Sequence, residues 1–363
     1  MNTTPTVKFT VDLNKANSFL KETRFTVTGE EETLFVLVPP KGCNYRCDFC
    51  SVRHTANQDF PVLGKSGHSA ALKVADEVDG MLAANPNINS LKLFNNGNIL
   101  YGQERRKSSE MHEYFWPNLL GVLRKHPQLK ALELEIRIDE LVGPDKDWTK
   151  GKLTAKGVLR ERMLGIDAIL REMGKELRCI LPLEYIESKI ISQQSKFPAV
   201  FAGNGEARSN CEKAIGWIKD FHLHWLSYAM LGGRLRDRSL TSEEAVSSAA
   251  HTVLFGLGHG AREVIVNSQY LDPINIWEQE RDGVNYYMPT EKDMVEMLRL
   301  VVPWLKDLPR VYGSTPRVRL TTDKEDLIVG TVGPDITEEF RQRIAAFNNS
   351  LDQERFFRDN LLS

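Results

Sequence analysis

Two periods of hydrophobic spacing take turns along this chain. A short apolar run at residues 34–38 has the length of a buried strand and ends at Pro39-Pro40. Over 69–84 the apolar positions are Leu72, Ala75, Val78 and Leu82, the spacing of one helical face. Residues 89–94 then read as a second strand, 110–125 as a second helix and 129–136 as a third strand. A long helix over 153–173 has Gly174 placed to stop it, and 177–183 is a fourth strand. Residues 210–219 predict a helix and 221–230 a fifth strand. Thr241-Ser242-Glu243-Glu244 is a capping box that opens a helix to about Leu257. A sixth strand at 263–267 and a helix starting at Thr290-Glu291-Lys292-Asp293 and running over 294–305 complete the series.

Strand and helix alternating in this order predict a parallel sheet with right-handed crossovers, an α/β fold. A chain of 363 residues buries a large core, as one barrel-like domain or as two domains. The composition, 41% hydrophobic and 26% charged, is that of a soluble globular protein. No apolar stretch approaches the roughly 18 residues of a membrane span, and no signal peptide is visible, so the expected location is cytoplasmic with no membrane partner. The net charge of −2 gives no global support for nucleic-acid binding, although a local basic patch remains open.

Candidate chemistry enters after the first strand, at Cys43, Cys47 and Cys50, with Phe49 before the last cysteine. Zinc ribbons usually need a second Cys/His pair, but Cys179 and Cys211 stand alone. A disulfide framework needs oxidising surroundings and usually a short chain. Three thiolates at this spacing suit a 4Fe–4S cluster with one iron left open for a substrate. The C-x3-C-x2-C motif resembles that of the radical S-adenosylmethionine (radical SAM) enzymes. That resemblance, covering about 33–307, implies a partial (β/α)6 TIM-like barrel with its chemistry at the C-terminal strand ends. It also implies S-adenosylmethionine on the open iron, cleaved by one electron to methionine and a 5′-deoxyadenosyl radical that abstracts hydrogen from a substrate. The expected organisation is an N-terminal extension at 1–30, the barrel at 31–307 and a C-terminal extension at 308–363 packed on the core. The final segment, 310–320 with a helix near 336–348, is placed to close the open side of the barrel or its bottom.

Further candidates follow the strands. Asn96, Gly97 and Asn98 stand where the family has a Gly-Gly-Glu-like element for the methionyl amino group; the version here is closer to relatives of the elongator catalytic subunit and of archaeosine synthesis. Glu135 and Arg137 share a face after the third strand, where the same relatives have cofactor-facing residues, Arg137 for the methionine carboxylate and Glu135 for ribose hydroxyls. Glu184 ends the fourth strand as a ribose or substrate contact; Asn267, at the end of the sixth, is placed among the cofactor contacts because the family's backbone there flanks the adenine, and Asn267 and Gln269 are also within reach of substrate. Each has an ordinary alternative: an Asn/Gly turn, a surface ion pair, a packed strand end. His222, His224 and Tyr228 read as one strand face, more often core than ligand, and the aromatics at 270–288 as a lid or a rim cover. The Arg234, Arg236, Arg238 run after the fifth strand reads as a solvated loop, with contact to a phosphate or carboxylate as the alternative. Gly64-Lys65-Ser66 lacks the first glycine of a P-loop, and Gly256 to Gly260 precedes a strand and so reads as a helix stop.

The expectation is a radical SAM enzyme with one 4Fe–4S cluster and S-adenosylmethionine, reduced by a donor such as flavodoxin or ferredoxin. Its expected substrate is a small polar biosynthetic metabolite; tRNA-base modification is the second reading and a degenerate barrel acting as an interaction protein the third.

Overall fold

The computed structural model describes residues 8–9, 22–28, 31–37, 67–94, 115–136, 138–142, 146–147, 152–153, 155–187, 190, 206–271, 273–311, 313–322 and 332–362. They fall into two compact units that divide between Cys179 and Ile180.

The first unit contains β1 (Lys8–Phe9), β2 (Glu22–Thr28), β3 (Glu31–Leu37), α1 (Gly67–Ala84), β4 (Ser90–Phe94) and α2 (Phe115–Lys125). After these come β5 (Ala131–Glu135), α3 (Ile138–Leu141), the small pair β6 (Lys146–Asp147) and β7 (Lys152–Leu153), α4 (Ala155–Glu172) and the start of β8 (Glu176–Glu184). β2 lies antiparallel to β3 from Glu22↔Leu37 to Thr28↔Glu31, whereas β3, β4 and β5 are parallel. Register places Leu34, Leu91 and Leu132 side by side, and likewise Val36, Leu93 and Leu134. All six are at most 1% exposed. Each such side chain contributes roughly 1.5–3 kcal/mol over its exposed state.

The opposite face of these strands carries a polar cluster among apolar positions such as Phe35 and Ala131. Ser90 Oγ donates to Glu133 Oε1 at 3.3 Å, and Arg178 Nη1 reaches the same oxygen at 3.2 Å while pairing with Glu176 as well. Ser90, Lys92, Glu133 and Arg178 are all buried. A parallel strand buried on both faces ordinarily reads as a continuous apolar run. The alternation Ser-Leu-Lys-Leu in β4 and Ala-Leu-Glu-Leu-Glu in β5 departs from that rule, and the charges are tolerated because Glu133 has partners.

The second unit holds the end of β8, α5 (Glu206–Asp220), β9 (His224–Leu231), α6 (Ser242–Gly258), β10 (Glu263–Ser268), α7 (Pro273–Asp282) and α8 (Glu291–Val301). α8 continues as a 3-10 segment, Val302–Asp307, before β11 (Arg317–Thr321), α9 (Glu338–Asn349) and α10 (Gln353–Asn360). β9, β10 and β11 are parallel, from Val264↔Ser227 and Val264↔Val318 onward. A Cβ on Gly256 of α6 would lie 2.9 Å from Val264 Cγ2 and 3.5 Å from Leu183 Cδ1. Leu183 and Val264 therefore face α6, and only a glycine lets the helix sit so close.

Seven parallel strands, β3, β4, β5, β8, β9, β10 and β11, alternate with helices in the order of a partial (β/α) barrel, the fold class expected from the sequence. The seventh is an addition: β11, within the C-terminal segment, is a parallel neighbour of β10 over its whole length. The expected capping box of Thr241 with Glu244 is present, and the helix start expected at Thr290 is a second one, closed by Asp293. Gly174 stops α4 with φ +70°, and Gly260 follows the end of α6 with φ +92°. No described helix is long and apolar enough to cross a membrane.

Candidate functional site at the strand ends

The cysteine motif with Phe49, the Asn96-Gly97-Asn98 element and Arg137 lie outside the described residues. Of the first unit's candidates, Glu135 is described. It is half-buried, two residues beyond Glu133 on the same polar face, at the C-terminal end of β5.

In the second unit the strand ends form a tied rim. Glu184, the last residue of β8, has φ 54°, and the following Tyr185 N–H bonds back to the Leu183 carbonyl at 2.6 Å. That i to i+2 bond with a positive φ is a strained γ-turn, and strain of this kind persists where surrounding contacts over-determine it. One such contact is visible. The Tyr185 hydroxyl donates to the Gly232 carbonyl at 2.7 Å, with the ring buried.

Gly232 follows β9 with φ +105°, and a Cβ there would lie 2.6 Å from the Tyr287 carbonyl oxygen and 2.8 Å from Gln269 Cβ. Gln269 continues the ladder past β10, its N–H donating to the Leu231 carbonyl at 2.9 Å. Its side chain is fully buried; Nε2 donates to the Tyr270 carbonyl at 2.6 Å, and Oε1 has no partner among the described residues. Asn267, two residues earlier on the same face, is half-buried, with Oδ1 3.1 Å from the Thr321 hydroxyl of β11.

The outer wall of this rim is pinned by charge. Gly233 and Tyr287 exchange two backbone bonds at 3.0 and 2.7 Å. Arg234 donates to the Val284 carbonyl at 3.1 Å and to Asp282 at 3.2 Å, and its guanidinium stands 4.6 Å from the centre of the Tyr286 ring. Arg238 grips Glu244 at the start of α6 with two bonds of 2.6 and 2.5 Å. The hydrogen bond from Arg238, with the backbone bond at Thr241, holds the Glu244 carboxyl down at about 2. Burial alone would push Asp293 up, but bonds from Ser242, Thr290 and Tyr287 outweigh it and leave its pKa lowered. Burial raises the Tyr287 hydroxyl.

Several expectations change here. Arg234 and Arg238 are struts within the loop, with their charge already spent on Asp282 and Glu244. Tyr286 is 5% exposed and belongs to the wall, while the Trp277 side chain lies outside the described residues. His222 does not share a strand face with His224 and Tyr228: it sits in the turn before β9 with φ 54°, exposed, because α5 runs to Asp220. Among the described residues no three His, Cys, Asp or Glu side chains gather as a metal site. Cys179 is fully buried, and burial pushes its thiol up.

The residues that sequence reasoning missed are Glu133 and Arg178, Tyr185 and Gly232, and Thr321. The polar alternation within β4, β5 and β8 was the available signal for the first pair; the others depend on which strands become neighbours.

No protein-family model and no curated protein matches the chain. Among solved structures it is similar to the archaeal Methanocaldococcus infernus Elp3 with an N-terminal deletion, at 13% identity and a TM-score of 0.46, covering 87% of this chain and 62% of that one. It is also similar to a radical SAM methyltransferase from Sphaerobacter thermophilus, at 12% identity and a TM-score of 0.44, over 83% and 70% of the two chains. A third is the radical S-adenosylmethionine methyltransferase TsrM from Kitasatospora setae with cobalamin and a [4Fe-4S] cluster bound, at 12% and 0.42, over 89% and 60%. This chain thus spans less than two thirds of the Elp3 and TsrM chains. With TM-scores below 0.5, these likenesses decide nothing about chemistry, which rests on the chain's own residues.

Proposed function

We propose that this chain is a radical SAM enzyme. The observation that carries the reading is where the cysteine motif falls in the fold. β3, the first of the parallel strands, ends at Leu37, and Cys43, Cys47 and Cys50 follow in the connection to α1. Loops after parallel strands of a (β/α) barrel build its active end, and three cysteines so spaced suit a 4Fe–4S cluster with one open iron. When bound, the cluster and S-adenosylmethionine supply a 5′-deoxyadenosyl radical.

The described residues fit polar ligands of this kind. Gln269 Oε1 is a buried acceptor with no described partner, and the Glu135 and Glu184 carboxylates end their strands. The chain's own work is to bind, orient and keep water away. Cys43, Cys47 and Cys50 would hold the cluster. Asn96, Gly97, Asn98, Glu135, Arg137 and Glu184 are assigned to S-adenosylmethionine, and the face that carries Asn267 to the substrate. The pinned wall of Arg234, Tyr286 and Asp293 makes this rim preorganised. The substrate is a small polar metabolite and the reductant a flavodoxin or ferredoxin, in the reducing cytoplasm; near-neutral charge and Arg234 and Arg238 bound to acids disfavour tRNA.

The test is 5′-deoxyadenosine release by anaerobically reconstituted protein with reductant, given the small-molecule and tRNA fractions of a cell extract separately. Release that requires all three cysteines supports the enzyme assignment. Stimulation by the small-molecule fraction supports the substrate class, and stimulation by tRNA alone overturns it.

A further inference from the structure

Asn267 ends β10 on the face shared, by register, with Met230 of β9 and Thr321 of β11. Its amide has two sides with opposite roles: an oxygen that accepts and an NH2 that donates. The oxygen is turned toward β11, where the Thr321 hydroxyl stands 3.1 Å from Oδ1 and 3.3 Å from the Val266 carbonyl. A hydroxyl has one proton to donate, and Asn267 Oδ1 is the nearer acceptor. With the oxygen so engaged, the NH2 group points away from β11. Asn267 is half-buried, and Nδ2 has no partner among the described residues.

Among the described residues of β9, β10 and β11, no free charge stands beside Asn267 on this face. Arg319, two residues before Thr321, pairs with Glu263 at 3.3 Å one layer further from the strand ends. An uncharged N–H donor held in one orientation is therefore the group offered, and it calls for an acceptor oxygen on the ligand.

We propose that Thr321 orients the Asn267 amide so that its NH2 group receives a carboxylate or carboxamide oxygen of the substrate. Asn267 is then the specificity-determining contact and Thr321 a positioning residue, which gives the C-terminal strand β11 a part in substrate choice. This rests on the assignment of the β10 strand end to the substrate under the proposed function.

The experiment uses the full chain without cluster, so its outcome is independent of radical chemistry. The side-chain NH2 signal of Asn267 is identified in the 15N-labelled protein by its absence in Asn267→Asp. Acetate, acetamide and methylammonium are then titrated separately. The expected result is a saturating shift of that signal with acetate or acetamide and none with methylammonium. The acetate and acetamide arms separate a charged from a neutral acceptor. Thr321→Val should weaken the response about fivefold, which corresponds to about 1 kcal/mol, and Thr321→Ser, which keeps the hydroxyl, should restore it. A shift with methylammonium alone means the amide is turned round and overturns the proposal. So does no shift with any probe, or an unchanged response in a folded Thr321→Val. Failure of 5′-deoxyadenosine release with this titration intact would instead overturn the enzyme assignment alone.

Discussion

The Tyr185 hydroxyl donates to the Gly232 carbonyl at 2.7 Å, joining the residue after β8 to the residue after β9. Both groups are buried. Tyr185→Phe removes the donor and leaves a buried carbonyl without it, a change expected to cost about 1–3 kcal/mol. A fall in the urea midpoint with an unchanged slope would record it.

Gly232 cannot carry a side chain. Its φ of +105° is strained for any L-residue, and the nearest obstacle is the Tyr287 backbone at 2.6 Å. Gly232→Ala is expected to lower stability by about 2–4 kcal/mol, from backbone strain and overpacking together. Thermal unfolding measures this, and a wild-type midpoint would contradict the close approach.

Arg178 and Glu133 make a buried pair at 3.2 Å, with side chains 4% and 9% exposed. Removing one partner strands the other charge, so Arg178→Met is expected to cost about 3–5 kcal/mol. Adding Glu133→Gln should recover part of that loss, since a buried pair replaced together costs far less than a pair broken. Equal midpoints for single and double variants would show the pair to be uncoupled.

Glu184 holds a positive φ of 54° that glycine adopts freely. Glu184→Gly should therefore stabilise the protein by up to about 1 kcal/mol while lowering 5′-deoxyadenosine release, if the carboxylate serves the site. Stability and activity moving in the same direction would remove Glu184 from the functional assignment.

Glu244 is held near 2 by Arg238 and by its capping box. Its folded pKa lies below its ordinary carboxylate value, so its contribution is complete above about 4.5 and is lost as pH falls toward about 2. Glu244→Gln should flatten the pH dependence of the unfolding midpoint within that window and leave it unchanged near neutrality. The pair is largely exposed, so added salt should shrink the difference.

Local patterns made much of this protein legible. Helix starts at Thr241 and Thr290 and the stop at Gly174 were readable because caps depend on neighbours three or four residues away. The β2–β3 hairpin had a signal as well, since Gly29-Glu30 between two β-rich runs has the Gly-X composition of a two-residue connection. His222 was misplaced because the turn that closes α5 extends through it, its N–H bonding the Lys219 carbonyl and the Leu223 N–H the Ile218 carbonyl, and a residue at that position after a helix readily takes a left-handed conformation.

The sequence by itself determined the order of six parallel strands and the helices between them, the cysteine motif and the helix starts and stops at Thr241, Thr290 and Gly174, since each rests on contacts within a few residues or on chain-long alternation. Only the tertiary structure decided that Arg178 finds Glu133 across 45 residues, that Tyr185 reaches Gly232 across 47, and that Thr321 meets Asn267 across 54. A hydrogen bond reaches about 3 Å, and which distant residues come within that reach is fixed by which strands become neighbours.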